Sequence, residues 1–422
     1  STPGRPTPAP WANVIANPRL GSVVSEASAG YTWFENAHEY RLTPWHNDPV
    51  SDPSGEVIYL RDEDSGRFWS ATPQPARSAE ATRCRVRHGF GYSVFETAAH
   101  GIHSRLQIYV AADAPVKFMH LLLRNDSGRA RRLSATAYVE WVLGNARAKT
   151  ALHIVSERSA ASGALLARNS FGADFANWVA FFDIDDEHQA QAGFTCDRAE
   201  FIGRHRSVRA PRAMTRTGLC GRAGAALDPC AAWQLPLQLA EGESLECVFR
   251  LGAGRDRDEA EALIRDHRGL AVAAEALRAV QRQWQHTLGA VRVRSPDPGL
   301  DVMANGWLLY QTIACRLWAR SGYYQSGGAF GFRDQRQDTM ALVHTRPELL
   351  RQQLLLCASR QFVEGDVQHW WHPPSGRGVR SNSSDDLLWL PLALARYVRC
   401  SGDVALLGER VTFLEGRPRA DR

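Results

Sequence analysis

Apolar and polar side chains alternate along the first part of the chain with the two-residue period of β-strands. The runs Glu56–Asp62, Pro115–Asp126 and Arg131–Leu143 follow this period, and turn sequences such as D-S-G and A-D-A-P separate them. Pro6–Pro53 mixes aromatic residues with glycine, asparagine and proline, which favours short strands joined by loops. The pattern predicts a large antiparallel β-sandwich over residues 1–255.

The period changes after residue 255. Asp256–Leu288 is rich in alanine, leucine and arginine at helical spacing, which predicts one or two helices within a helical linker over residues 256–296. Residues 297–422 continue the helical pattern, with further helices expected over Leu300–Ala319, Glu348–Gln361, Asp385–Val398 and Asp403–Arg410. The predicted fold class is therefore multidomain, β followed by α.

Three blocks of the helical region carry most of the candidate chemistry: Arg320–Asp338, Glu364–Arg380 and Ser384–Pro391. They combine glycine runs with tryptophan, tyrosine, arginine, histidine and carboxylate side chains. We expect the first two, which are rich in glycine, to be loops between helices. Aromatic rings cover the apolar faces of a sugar, while planar polar groups bind its hydroxyls in pairs. The blocks therefore indicate a site for a polyhydroxylated ligand.

A structural interpretation of the same residues stays open. Trp370, Trp371 and Trp389 would then fill a core, and Arg333 would form an ion pair with a neighbouring carboxylate, Asp334 or Asp338. Loops that hold tryptophan, histidine and arginine together usually bind ligands, which favours the sugar site.

Composition and charge exclude several classes of function. The 422 residues include 50 lysines and arginines against 45 aspartates and glutamates, a net charge of +5, without a long basic run, which excludes a nucleic-acid-binding protein. No apolar stretch is long enough to span a membrane, and the first residues lack the order of a signal peptide. The eight cysteines contain no C-x-x-C pair, which argues against a metal site and favours reduced thiols in the cytoplasm.

Six motifs in chain order resemble those of glycoside hydrolase family 94, and more narrowly those of the carboxy-terminal region of cyclic β-1,2-glucan synthases. The likeness extends from Thr7 to Gly416. The motifs are T-P-A-P-W-A-N-V-I-A-N-P, S-A-G-Y-T-W-F-E-N, R-L-T-P-W-H-N-D-P-V-S-D-P, G-F-R-D-Q-R-Q-D, E-G-D-V-Q-H-W-W-H-P-P-S-G-R-G-V-R and S-D-D-L-L-W-L-P.

The resemblance implies a β-supersandwich over residues 1–255, the helical linker, and an incomplete (α/α)6 barrel over residues 297–422. It implies a glycoside phosphorylase or glycosyltransferase that cleaves β-linked glucans by inverting phosphorolysis. Inorganic phosphate would be the co-substrate, without another cofactor, and a β-glucan or glucooligosaccharide the main partner. A second copy of the chain is a further candidate partner. The implied location is the cytoplasm, either as a separate protein or as the cytoplasmic part of a membrane-anchored synthase.

The resemblance also assigns roles to individual residues. Arg333 and Asp338 match the residues that bind the glucosyl unit, and Asp334 is expected to orient Arg333. Four residues match the tryptophan-rich loop near the sugar: Gln368, His369, Trp370 and His372.

The family's general acid lies in a segment that we expect beyond Arg422, so no catalytic residue is assigned, and we expect this chain alone to be inactive in phosphorolysis. The acidic residues Asp366, Asp385 and Asp386 occupy positions that the family does not use for the acid. Two alternatives stay open: a carbohydrate-binding fragment without turnover, and a glucan hydrolase on the same framework. A hydrolase would need two carboxylates across the sugar and would release free glucose without phosphate.

Overall fold

A computed structural model describes residues 7–78, 83–381 and 383–416. The chain divides into two compact units: Ser1–Gln281 with Gly322–Ser326, and Arg282–Ser321 with Gly327–Arg422. The predicted outer limits at residues 1 and 422 lie outside the described residues. Within the described ranges, no helix is both long and apolar enough to cross a membrane. All eight cysteines are free thiols.

Antiparallel strands build the first unit. In chain order they are β1 Ala12–Ala16, β2 Leu20–Ser25, β3 Gly30–Phe34, β4 Glu56–Asp62, β5 Phe68–Ser70, β6 Arg83–Gly89, β7 Tyr92–Ala99, β8 Ile102–Val110, β9 Val116–Asn125, β10 Arg131–Glu140, β11 Ile154–Arg158, β12 Leu165–Asn169, β13 Val179–Ile184, β14 Gly193–Asp197, β15 Pro229–Leu239 and β16 Ser244–Gly254.

These strands form three sheets. The first is β1–β2–β3, the second has five strands in the order β14–β15–β10–β4–β5, and the third has eight in the order β11–β12–β13–β16–β9–β8–β7–β6. Strands β6 to β9 pair in sequence as hairpins, whereas β10 lies between β4 and β15. The chain therefore crosses from the eight-stranded to the five-stranded sheet after β9.

The main core lies between the five-stranded and eight-stranded sheets. Leu60 and Trp233 project into it from the first, and Leu121 and Phe249 from the second. Because successive side chains of a strand point to opposite faces, the neighbour of Leu60, Tyr59, lies in a separate cluster on the outer face. The alternation seen in the sequence thus produces a sandwich with apolar groups on both faces of its sheets.

Helices cover part of the outer face of the eight-stranded sheet. The short helices of this unit are α1 Arg147–Thr150, α2 Asp186–Gln189 and α3 Arg198–Ile202. Two longer helices follow, α4 Arg257–Asp266 and α5 Leu270–Gly289, and the second of them extends past Gln281, where the first unit ends. Helix α4 begins at Asp256, whose side chain accepts a hydrogen bond from the backbone N–H of Glu259 at 2.8 Å. Gly254 lets this helix approach β16 closely, because a Cβ there would lie 2.6 Å from the backbone nitrogen of Ala260.

The second unit is mainly helical. Its helices are α6 Pro298–Val302, a π-helix Met303–Trp307, α7 Leu308–Gln311, a π-helix Thr312–Ala319, α8 Asp334–Met340, α9 Pro347–Ala358, α10 Asp386–Ser401 and a 3-10 turn Val404–Gly408. Helices α9 and α10 pack through Leu350, Leu354, Ala393 and Tyr397. A small sheet of strands β17 Phe330–Gly331, β18 Val367–His372 and β19 Arg377–Ser381 accompanies them, with β18 in the centre.

The predicted order of an antiparallel β-sandwich followed by a helical region is confirmed. The expectation that the first two blocks are loops is wrong. Strand β17 and helix α8 lie in the first block, and the hairpin of β18 and β19 lies in the second. Glycine, proline and paired tryptophans in these blocks do not form the alternating pattern of a strand. The pairing of β17 with β18 also joins distant parts of the chain, which a local pattern does not show.

A buried ion cluster joins the eight-stranded sheet to the turn between α4 and α5. Arg250 in β16 and Asp183 in β13 are both fully buried, and Arg250 Nη1 lies 3.4 Å from Asp183 Oδ2. Arg250 also pairs with Asp185, and Arg268 Nη2 donates to Asp183 Oδ1 at 2.6 Å. Burial raises the pKa of Asp183, although both guanidinium groups oppose that rise. Each charge in the cluster therefore depends on its partners.

Replacing Arg250 by alanine should destabilise the sandwich by about 3–5 kcal/mol, because Asp185 would remain buried without its guanidinium partner and Asp183 would keep only Arg268. We would measure native-state hydrogen exchange at the β13 and β16 amides, since a chain with two units does not unfold as one transition. The control, Arg206→Ala, removes an exposed arginine of the same unit and should change the opening free energy by less than about 0.5 kcal/mol. Equal exchange in both variants would contradict the prediction.

Candidate sugar-binding site

Two neighbouring carboxylates at the start of α10 bring the three sequence blocks together. Asp385 precedes the helix and Asp386 is its first residue. Arg333 Nη1 donates to Asp385 Oδ2 at 2.9 Å, and Nδ1 of His369 lies 2.7 Å from Asp386 Oδ2. Since Arg333 follows β17 and His369 lies in β18, one helix end positions a guanidinium and an imidazole from two distant segments.

The charges at this point support each other. The hydrogen bond from Arg333 lowers the pKa of Asp385, and a hydrogen bond from Trp389 lowers it further. Conversely, Asp385 raises the pKa of Arg333. Both side chains are 49% exposed, so the guanidinium keeps donors that face solvent. A ligand with hydroxyl or anionic oxygens could reach them.

Helix α8 presents two carboxylates one turn apart. Asp334 is exposed in the first turn, and Asp338 is half-buried, with its Oδ2 accepting from Arg316 Nε at 3.0 Å. Burial raises the pKa of Asp338, and the Arg316 guanidinium offsets only part of that rise. The structure therefore corrects the expected role of Asp334. The Arg333 guanidinium is oriented by the hydrogen bond that it donates to Asp385, while the charge of Asp334 adds to the rise in the pKa of Arg333.

The inner face of α8 holds the helix against β17. The Gln335 side chain accepts a hydrogen bond from the backbone N–H of Gly331. Arg336 is fully buried, with its guanidinium carbon 3.4 Å from the centre of the Phe332 ring. These contacts place Arg333, which lies between β17 and α8, at a rigid corner.

Trp370 and Trp371 lie on opposite faces of strand β18, because successive side chains of a strand alternate. Trp371 is fully buried and stacks on Phe330 at 5.7 Å, as the structural interpretation proposed. Trp370 points the other way, is 37% exposed, and meets the His372 ring edge-on at 5.4 Å. The aromatic surface open to a ligand is therefore Trp370 and not Trp371.

Gln368 is the predicted site residue that the structure places away from the surface. It is buried, and its Nε2 donates to the backbone oxygen of Gly376 at 2.9 Å, which holds the turn of the β18–β19 hairpin. His369, by contrast, keeps 45% of its side chain exposed. We conclude that Gln368 supports the hairpin while its neighbour faces solvent.

A bidentate ion pair fixes the base of the same hairpin. The Nε and Nη2 atoms of Arg380 each lie 2.6 Å from one oxygen of Asp366, and Glu364 binds the same guanidinium at 2.9 Å. The guanidinium carbon also lies 3.9 Å from the centre of the Phe362 ring. Both carboxylate oxygens of Asp366 therefore bind Arg380, which gives Asp366 a structural role.

The sequence interpretation missed Asp385 and Asp386 as site residues. The partner of Asp385 is 52 positions away and that of Asp386 is 17 positions away, so no local pattern reveals them. One signal was present, because two aspartates immediately before L-L-W-L are typical of a helix start.

Two family models match most of the chain. Residues 1–270 match the model "Glycosyl hydrolase 94, supersandwich domain", and residues 283–420 match "Glycosyl hydrolase 94 superfamily, catalytic domain". Together they divide the chain close to the point where the sandwich gives way to the helical unit.

Known relatives agree with these models. The chain is 40% identical over 415 residues to the cyclic beta-(1,2)-glucan synthase NdvB of Rhizobium meliloti (strain 1021), which covers 98% of this chain and 14% of the synthase. It is 26% identical to the N,N'-diacetylchitobiose phosphorylase of Vibrio proteolyticus, covering 97% of this chain and 55% of that enzyme. The chain therefore spans about half of this phosphorylase and a smaller part of the synthase.

A solved structure shares the architecture. A bacterial glucoamylase complexed with acarbose aligns with a TM-score of 0.59 at 8% identity, covering 93% of this chain and 58% of the glucoamylase. At that identity the likeness shows the fold alone: a β-sandwich followed by a helical domain.

The two tryptophans of β18 should differ sharply on truncation. Trp371→Ala removes a fully buried ring and should destabilise the second unit by about 3–5 kcal/mol. Trp370→Ala removes a partly exposed ring and should lower the free energy of unfolding of the second unit by less than about 1 kcal/mol. Hydrogen exchange at the β18 and α9 amides measures both. Equal losses would mean that Trp370 also belongs to the core.

Asp386→Asn should change the tautomer of His369. A carboxylate only accepts hydrogen bonds, so Nδ1 of His369 carries the proton and Nε2 is left as an acceptor that faces solvent. An asparagine amide both donates and accepts, which removes this preference. Nitrogen NMR of the ring measures the tautomer, with Asp385→Asn as the control because Asp385 binds Arg333 instead. An unchanged His369 spectrum in Asp386→Asn would refute the assignment.

Proposed function

Because the chain belongs to the glycosyl hydrolase 94 family, we propose that its second unit binds a β-linked glucose unit as a substrate for inverting phosphorolysis. The observation that carries the proposal is the pair of carboxylates at the start of α10. Asp385 fixes the exposed guanidinium of Arg333, Asp386 fixes the partly exposed imidazole of His369, and the next residue of β18, Trp370, has a partly exposed ring. Aromatic stacking with directional charged hydrogen bonds is the combination that sugar recognition requires.

In this proposal Arg333 and Asp338 bind hydroxyls of the glucosyl unit, and Trp370 covers an apolar face of the ring. His369 adds a hydrogen bond through Nε2, and His372 supports Trp370 from its edge. Gln368 acts indirectly, by holding the hairpin turn. The ion pair with Asp385 already restrains the Arg333 side chain, which reduces the side-chain entropy lost when the sugar binds.

Inorganic phosphate is the proposed co-substrate. In inverting phosphorolysis one phosphate oxygen attacks the anomeric carbon as the glycosidic bond breaks on the opposite face. The leaving oxygen takes a proton from an acid, and a sugar 1-phosphate of inverted configuration results. Phosphate is already an anionic nucleophile, so this reaction needs one protein acid and no protein base. The name of one relative, a cyclic beta-(1,2)-glucan synthase, supports β-linked glucose as the substrate class, and that of another, a diacetylchitobiose phosphorylase, supports phosphate as the co-substrate.

The test measures binding and turnover separately. Titration calorimetry with β-1,2-linked glucotriose gives the Kd, and incubation with and without phosphate gives sugar 1-phosphate and free glucose. We expect Arg333→Ala or Asp338→Ala to weaken binding by about 1.5–3 kcal/mol, a roughly 10- to 150-fold rise in Kd, as for hydrogen bonds to charged groups. The matched control is Arg292→Ala, which removes an exposed arginine of the same unit.

The outcomes distinguish the alternatives. Wild-type affinity in both site variants would refute the proposed site. Phosphate-independent release of glucose would identify a hydrolase. Sugar binding that responds to Arg333→Ala, with no product in either condition, is the result expected of a chain to which no general acid is assigned, and sugar 1-phosphate formed with phosphate would contradict that expectation.

A further inference from the structure

An open groove of about 460 Å³ lies on the outer face of the first unit. Its floor comes from strands β11, β12 and β13, where Val155, Arg168 and Val179 are direct neighbours across the sheet. Ala176 and Asn177 form one wall, while Asp256 and Arg257, where α4 begins, are also part of the lining. Helix α4 packs on Val116 and Phe118 of the sheet and starts beside the outer strands.

The groove combines an apolar floor with a polar rim. Leu166 and Val179 are buried in its floor, whereas Arg168 and Asn177 are exposed. Among the residues with described positions, neither the Arg168 guanidinium nor the Asn177 amide has a hydrogen-bond partner. Both groups are planar and bind adjacent oxygens in pairs.

The charge of the lining is balanced. Its two acidic residues, Glu157 and Asp256, face two basic ones, Arg168 and Arg257, and Arg257 already pairs with Glu157. A site for phosphate or another anion would need an excess of positive charge. A neutral, hydroxyl-rich ligand fits this lining better.

Two exposed aromatic rings stand on the segments that enter the groove. In the sequence, His153 precedes the lining residue Val155 by two positions, and Phe171 lies between the lining residues Arg168 and Ala176. The rings of His153 and Phe171 stack 4.2 Å apart at 10°, and Phe171 is 62% exposed. Neither ring is part of the groove's lining, but Phe171 follows the lining residue Arg168 by three positions, and an exposed aromatic ring on the same segment as a planar guanidinium is suited to a pyranose ring.

We propose that this groove is a second glucan-binding surface, which holds a segment of a neutral β-linked glucan chain on the sandwich. The choice of glucan rests on the proposed function of the second unit, while the site itself rests on the groove's own geometry. Arg168 and Asn177 hydrogen-bond sugar hydroxyls, and Phe171 carries the stacking contact. The surface would raise the affinity for long glucans over short ones, because a long chain contacts more of the protein.

The experiment separates the two sites with a long linear β-1,2-glucan and β-1,2-linked glucotriose as probes of the full chain. In an Arg333→Ala background, which weakens the candidate site of the second unit, the long glucan should still bind. Adding Arg168→Ala should raise its Kd roughly tenfold, and adding Phe171→Ala should raise it roughly two- to tenfold. The matched controls Arg206→Ala and Trp11→Ala remove exposed side chains of the same unit and should leave the Kd unchanged.

Unchanged affinity for the long glucan in both groove variants overturns this proposal, whatever Arg333→Ala does to glucotriose. Unchanged glucotriose binding in Arg333→Ala refutes the proposed function instead, and leaves the groove result to be judged separately. If Arg168→Ala alters the sedimentation of the protein but not its glucan affinity, the groove is a contact between copies of the chain, and the proposal is also wrong.

Discussion

The adjacent carboxylates Asp385 and Asp386 are the constraint on which the candidate site depends. Successive residues in the first turn of a helix point in different directions, so one carboxylate faces Arg333 while the other is buried and faces His369. The positive end of the helix dipole favours negative charge at this position. Two segments far apart in sequence are therefore held by neighbouring residues, and their separation follows from the backbone of α10.

In the first unit, paired charges also hold distant segments together, and there the charges are fully buried. Arg250 and Asp183 are fully buried, and each is tolerated because charged and backbone partners surround it. The cluster also includes Arg268, from the turn between α4 and α5. It therefore fixes the turn between α4 and α5 on the sheet, while Asp256 and Arg257, at the start of α4, line the groove over β11, β12 and β13.

Local patterns predicted more of the fold than of the site. Alternation revealed strands such as β4 and β9, and a change of period revealed α4 and α5, because these signals depend on neighbouring residues alone. The small sheet of the second unit was missed, since β17 finds its partner only after α8 and α9 intervene. Had this segment been recognised as a strand, the alternation of its side chains would have placed Trp370 and Trp371 on opposite faces, one exposed and one in the core. The partner of Arg333 lies too far along the chain for any pattern to show.

The buried carboxylate of Asp386 also acts on a buried cation, Arg336. Its guanidinium is fully buried, and no described residue accepts a hydrogen bond from its three nitrogens. Burial lowers the pKa of Arg336 to about 10, while the carboxylate of Asp386 opposes that change. The guanidinium stays positively charged, and the Phe332 ring face and the field of Asp386 stabilise that charge. Asp386 therefore acts on a buried cation in the core and also binds the His369 imidazole, which couples the packing of α8 to the geometry of the candidate site.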